Sequence, residues 1–204
     1  MVNSSLTFLV AALVSAQAVL AHYQLVYPVS RGFSEAIEAN GPCGGYDIVQ
    51  SPRTQFPLKN GFAEINSEHT SYKYTINLLV NNNPTSADFT SANLKQVATG
   101  SRSYPEAACL SVDLSSANVT SGTNATIQII YDAGDGQLYQ CTDVVLADNP
   151  SSFNTSQCVN ADGSSSNTTS SSSGSSSSTS KASSYTVASG LVAMAVLCAS
   201  LISM

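Results

Sequence analysis

Between residues 22 and 160, apolar and polar positions alternate in short stretches, a period of two that predicts strands rather than helices. Residues 23–27 form a β-prone run that Pro28 ends. Residues 72–80 put Tyr72, Tyr74, Ile76, Leu78 and Val80 on one face. Residues 94–97 predict a short edge, and 109–114 another strand. Residues 125–131 set Ile127, Ile129 and Tyr131 against Gln128 and Ile130. Residues 138–146 give the strongest strand signal, with Tyr139, on the face opposite Leu138, expected in the core. Gly, Asn, Ser and Pro separate these stretches, which predicts an all-β sandwich, immunoglobulin-like or fibronectin-III-like. Helical signals are confined to loops. Residues 34–40 predict about two turns, stopped by Gly41-Pro42, and 86–93 a weaker helix.

The two ends depart from this pattern. Residues 1–21 hold an apolar run, Leu6 to Leu20, followed by small residues, as secretory leaders do. Cleavage after Ala18 and cleavage after Ala21 both satisfy the small-x-small rule, and the local pattern leaves both open. Residues 187–204 carry no charge and would span about 27 Å as a helix. No basic cluster follows to stop transfer. The small residues Gly174-Ser175-Ser176, a polar spacer and that apolar tail follow the order of a GPI-attachment signal, with Gly174 as the expected attachment point. A single-pass anchor is the alternative. Residues 161–184 are mostly Ser and Thr, too polar to offset their chain entropy by burial, and are expected to form a glycosylated stalk. The organisation expected is a signal peptide (1–21), one domain (22–160), a stalk (161–184) and a signal tail (185–204).

Composition narrows the setting. The domain holds Cys43, Cys109, Cys141 and Cys158, an even count that predicts two disulfides in an oxidising compartment. Three pairings are possible, and Cys43–Cys141 with Cys109–Cys158 is the favoured one. Sequons at Asn118, Asn124, Asn154 and Asn167 agree with secretion, whereas proline spoils those at Asn83 and Asn149. The chain is acidic, with a net charge of −6, and has no basic run. That argues against nucleic acid or anionic lipid as a partner and suits a protein that attracts cations.

The candidate chemistry rests on two histidines, the only two in the chain. Cleavage after Ala21 would give His22 both a free α-amino group and an imidazole, which can chelate one ion. With the imidazole of His69 added, three nitrogens suit a tetragonal Cu(II) ion better than tetrahedral zinc. His69 sits in a polar loop, where a histidine commonly has no specific role; its partnership with His22 is what singles it out. Its neighbour Glu68 is expected to be solvated. Asp132 and Asp135 flank a glycine-rich hairpin loop; turn chemistry explains both, and metal ligation by one is the sharper reading. No Gly-x-Ser-x-Gly or His-Glu-x-x-His motif supports a hydrolase. Tryptophan is absent, a mark against a flat polysaccharide-binding face, although nine tyrosines could serve instead.

Residues 22–31, His-Tyr-Gln-Leu-Val-Tyr-Pro-Val-Ser-Arg, resemble the start of mature lytic polysaccharide monooxygenases, and Leu138-Tyr139-Gln140-Cys141 resembles their last core strand. With the Ser-rich stalk and anchor signal, nearly the whole chain is similar to a fungal, GPI-anchored branch of monooxygenase-like copper proteins linked to copper acquisition. The resemblance implies a sandwich of the monooxygenase type and cleavage after Ala21. It implies one Cu(II) per chain, held by the amine and imidazole of His22, the imidazole of His69 and an aspartate. That aspartate falls on Asp135, with Asp132 as the fallback. The axial position, commonly Tyr or Phe in monooxygenases, falls on Leu138. A carboxylate near the metal favours Cu(II) and crowds the place of oxygen. The implied role is copper binding at the outer face of the plasma membrane or in the cell wall, without polysaccharide cleavage. The protein would be a lipid-anchored monomer that exchanges copper with a membrane transporter. A copper-dependent monooxygenase of a wall polysaccharide is the alternative, and a structural or adhesive wall protein a third reading.

Overall fold

The computed structural model describes residues 22–165. The leader, Asn167, Gly174 and the apolar tail lie outside the described residues. Eight strands follow in chain order: β1 (Tyr23–Tyr27), β2 (Thr54–Pro57), β3 (Gly61–Ser67), β4 (Tyr72–Val80), β5 (Leu94–Arg102), β6 (Glu106–Val112), β7 (Asn124–Asp132) and β8 (Gln137–Ala147). They form a three-stranded sheet, β1-β3-β6, and a five-stranded sheet, β2-β8-β7-β4-β5. All pairs are antiparallel except β2 with β8. The inner faces meet in one core that includes Leu25, Ile65, Leu110, Ile76, Ile127, Ile129 and Leu146. This is the expected all-β sandwich.

Two short 3₁₀ turns, Ser86–Asp88 and Thr155–Gln157, are the helical elements among the described residues. The helix expected over residues 34–40 does not form: hydrogen bonds from Ile37 N–H to Ser34 O and from Asn40 N–H to Ile37 O close successive turns instead. The chain there serves a different purpose. β8 is eleven residues long, yet β2 covers only its last four, Val144 to Ala147. Residues 28–47 cover the rest of that edge: Arg31 N–H donates to Cys141 O at 2.8 Å, and Tyr139 N–H to Glu38 O at 3.0 Å. Gly44 permits the close approach, because its φ is +65° and a Cβ would stand 2.4 Å from Tyr139 O. The Cys43–Cys141 disulfide fastens the same contact.

Beside that disulfide, the Arg31 guanidinium forks onto both oxygens of Asp143 at 2.8 Å. Burial opposes ionisation of Asp143, but Arg31, the Thr126 hydroxyl and the Gln50 N–H outweigh it and hold the carboxyl below its ordinary value.

On the other side of the sandwich, residues 148–165 lie over the three-stranded sheet. Phe153 packs among Tyr27, Phe56 and Phe62 at ring distances of 5.0–5.2 Å. Cys158 is bonded to Cys109, and Val159 N–H donates to Glu64 Oε2 at 3.1 Å. With only that one donor, burial pushes the Glu64 carboxyl up to about 7. Of the sequons, Asn118 and Asn154 are exposed; Asn124 is half-buried, and its amide donates to Asn82 Oδ1.

Candidate metal centre

His22 immediately precedes β1, whose register with β3 sets Tyr23 opposite Ser67. The next rung is made by Glu68, whose N–H donates to His22 O at 3.0 Å. The β3–β4 turn therefore starts beside His22 and carries His69. Ser67 shapes that turn: its Oγ accepts the His69 N–H at 3.2 Å and shares a 2.7 Å hydrogen bond with Tyr131 Oη.

Tyr131 is fully buried and stacks between Tyr23 and Tyr72, each at 4.7 Å, with the His69 ring 6.4 Å from it. Stacked pairs of this kind contribute about 0.5–1.5 kcal/mol each beyond their buried area. Burial pushes the Tyr131 phenol up to about 12 and that of Tyr23 well above its ordinary value, so both stay neutral under the histidines.

Each imidazole meets a carboxylate. His22 Nδ1 is 3.1 Å from Glu38 Oε2, and His69 Nε2 is 3.0 Å from Asp135 Oδ2. The main-chain N–H of His22 lies 3.4 Å from Glu68 Oε2. Of the two loop aspartates, Asp135 reaches His69; Asp132 Oδ1 accepts the Gly134 N–H, which is turn chemistry.

Glu38 is 1% exposed, and Gln140, equally buried, supplies it with a hydrogen-bond partner. Gln140 Nε2 donates to Glu38 Oε1 at 2.7 Å and to Tyr23 O at 2.6 Å, and its Oε1 accepts the Leu25 N–H. Burial raises the Glu38 carboxyl, while Gln140 and His22 pull it back.

A carboxylate beside each imidazole, and Glu68 beside the His22 main-chain N–H, make each of these positions favourable to positive charge. No hydroxyl or thiol of the described residues is hydrogen-bonded to either ring, so the arrangement activates no side-chain nucleophile. Among the described residues, no three His, Cys, Asp or Glu side chains surround one point. The main-chain nitrogen of His22 is a donor of a different kind.

The domain's sequence matches the model of the Copper acquisition factor BIM1-like family over residues 20–163. The chain belongs to that family. Copper acquisition factor BIM1 of Cryptococcus neoformans var. neoformans serotype D is 40% identical over 144 residues, 64% of this chain and 62% of that protein. The protein of the same name from var. grubii serotype A is 39% identical over 170 residues, 80% and 77% of the two chains. This chain thus spans under two thirds of the first relative's length and over three quarters of the second's. Among solved structures, a lytic polysaccharide monooxygenase from Kitasatospora papulosa superposes with a TM-score of 0.42 at 15% identity, covering 63% of this chain and 73% of that one. ScLPMO10B in complex with zinc does so at 0.41 and 16%, covering 60% and 72%. The sandwich itself is defined by the strands and sheets of this chain.

Several expectations need revising. Tyr139 is half-buried against Gly41 rather than in the core, and Leu138 on the opposite face is 5% exposed and packed inside. The aromatic ring beside His69 is Tyr131, opposite Leu138 in the β7–β8 register. Glu68 is exposed, as expected, and its Oε2 lies 3.4 Å from the His22 main-chain N–H. The sequence does not single out Glu38 or Gln140: Glu38 lies in the segment expected to be helical, and Gln140 occupies an inward position where strand periodicity calls for an apolar residue.

Proposed function

We propose that the protein is a cell-surface Cu(II)-binding protein that acts in copper acquisition without cleaving polysaccharide. One copper ion per chain is held by the amine and Nδ1 of His22, Nε2 of His69 and a carboxylate oxygen of Asp135. The single observation that carries the reading is the 3.0 Å separation of His69 Nε2 from Asp135 Oδ2. Two donors each about 2 Å from a metal, at right angles, stand about 2.8 Å apart, so this pair fits adjacent corners of a tetragonal ion. The donor set of hard oxygen and imidazole suits Cu(II) more than Cu(I). Membership of a copper acquisition family agrees with copper as the cargo. The leader and the tail support display at the outer face of the membrane on a lipid anchor; there the protein acts as a monomer that passes copper to a membrane transporter.

The amine must lose a proton to bind, from an ordinary value of about 8, so affinity falls as pH drops below neutrality. Calorimetry on the chain beginning at His22 tests the site. His22→Ala and His69→Ala are each expected to abolish tight Cu(II) binding, and nanomolar affinity retained by either would refute the ligand set. Incubating the copper-loaded protein with chitin, cellulose or β-glucan and a reductant separates this role from a monooxygenase, because only the latter releases oxidised oligosaccharides.

A further inference from the structure

We propose that a cleft at the far end of the five-stranded sheet seats the first N-acetylglucosamine of a glycan attached to Asn124. The cleft lies away from the two histidines. His69 precedes β4 and Asp135 follows β7, whereas the cleft is formed where β4 has ended and β7 begins. Its volume is about 590 Å³, within the range of about 300–1,000 Å³ common for small-ligand sites. Asn124, the first residue of β7, lines it and heads the sequon Asn124-Ala125-Thr126. Thr126 is 0% exposed, and its hydroxyl donates to Asp143 Oδ1 at 2.6 Å. The sequon is therefore read before the domain folds, and the folded domain must then house whatever Asn124 carries. In that earlier step Asn124 Nδ2 bonds to C1 of the sugar and a lipid-linked pyrophosphate leaves. One amide proton is released; the other stays on the nitrogen.

The lining suits a pyranose. Val49, Pro52 and Val145 offer apolar surface to the C–H face of the ring. The amides of Gln50, Asn82 and Asn83 offer donors and acceptors to its hydroxyl and acetamido groups. Arg53 fixes this wall: Nη1 donates to Ala125 O at 2.8 Å and Nη2 to Asn82 O at 2.6 Å. Asn82 Oδ1 in turn accepts the Asn124 amide at 3.2 Å, so the side chain that carries the sugar is held half-buried against the domain. A tethered sugar meets these groups at high effective concentration, and contacts too weak to hold a free monosaccharide suffice. Asn118 and Asn154 differ, being exposed and outside the cleft.

The test uses the full chain secreted from a eukaryotic host that adds N-linked glycans. Mass spectrometry of the peptide spanning Asn124 is expected to show N-acetylhexosamine on that residue, and an unmodified peptide would overturn the proposal. Peptide N-glycosidase, which must reach the bond between sugar and asparagine, is then applied to the folded and the denatured protein. Release from Asn124 is expected to be at least about ten-fold slower in the folded form. Equal rates would mean that the glycan is attached but not seated, and would overturn the cleft. Wild type and Asn124→Gln are also melted in two forms, with N-linked glycans and, from a bacterial periplasm, without them. The unglycosylated pair reports the lost hydrogen bond to Asn82 alone, so the glycosylated pair is expected to differ by about 2–4 °C more in Tm. Equal differences would again overturn the proposal. If Asn124→Gln is not secreted, the glycosidase rates on the wild type decide.

Discussion

The two histidine–carboxylate pairs are built in opposite ways. In the His22–Glu38 pair the side chains are 13% and 1% exposed; in the His69–Asp135 pair they are 25% and 29% exposed. The first pair stands on the core through Gln140, β1 and the edge of β8. The second joins two loops, the β3–β4 turn and the β7–β8 hairpin, with Tyr131 underneath. One half of the site is therefore fixed by the fold and the other can adjust. In the proposed copper role, that division would separate the part that sets geometry from the part that opens.

The contrast can be broken at its stiff end first. Gln140→Ala removes partners from Glu38 Oε1, Tyr23 O and Leu25 N, all buried, and is expected to cost about 3–5 kcal/mol in urea-induced unfolding of the metal-free protein. A loss below 1 kcal/mol would mean that water replaces the amide and that the pair is not core-built.

Glu64 sharpens the comparison, being a buried carboxylate with no histidine. At 4% exposure its one donor is the Val159 N–H, and its carboxyl is raised from 4.5 to about 7. A raised value means that the folded state holds a proton which the unfolded chain has already released. Its contribution to stability is thus full below about pH 4.5 and disappears as pH rises through 7, up to about 3 kcal/mol in all. Urea unfolding between pH 5 and pH 8 is expected to show that slope in the wild type and to lose it in Glu64→Gln. An identical slope in both would assign it to other groups. Burial raises the Glu38 carboxyl as well, but its two partners, Gln140 and His22, oppose that rise where Glu64 has a single donor.

The flexible half predicts the smallest change. Asp135→Asn is expected to alter the stability of the metal-free protein by no more than about 0.5 kcal/mol while weakening Cu(II) binding. A thermal shift corresponding to several kcal/mol would show that the hairpin is structural.

Strand periodicity located β1, β4, β7 and β8 almost to the residue, because each has one face in the core and one that is largely polar. It failed for β3, where Phe62 and Glu64 are buried on the outer face under residues 148–165, and Ala63 and Ile65 on the inner one. A strand covered on both faces, yet carrying Glu and Asn, has no two-residue rhythm to detect. β2 is four residues ending in proline, and β5 extends to Arg102, well beyond the apolar residues 94–97. The bulge in the β4–β5 pairing falls on β5, where Val97 is the extra residue; at the end of β4, Leu79 is buried and Val80 exposed. At the candidate site, His22, His69 and Asp135 were legible because histidine is scarce and the Asp-Gly loop is a strong turn signal. Glu38 was not: nothing in its local sequence reveals that residues 28–47 fill the open edge of β8 and carry it against His22.

The most direct measurement of the central claim compares two versions of the described domain by Cu(II) calorimetry, one beginning at His22 and one carrying a single extra residue before it. The chain beginning at His22 is predicted to bind one Cu(II) tightly. The extended chain, with the amine converted to a peptide nitrogen, is predicted to lose affinity by at least about 100-fold. Equal affinities would contradict the account, since the ion would then be held without the nitrogen that only a free first residue provides.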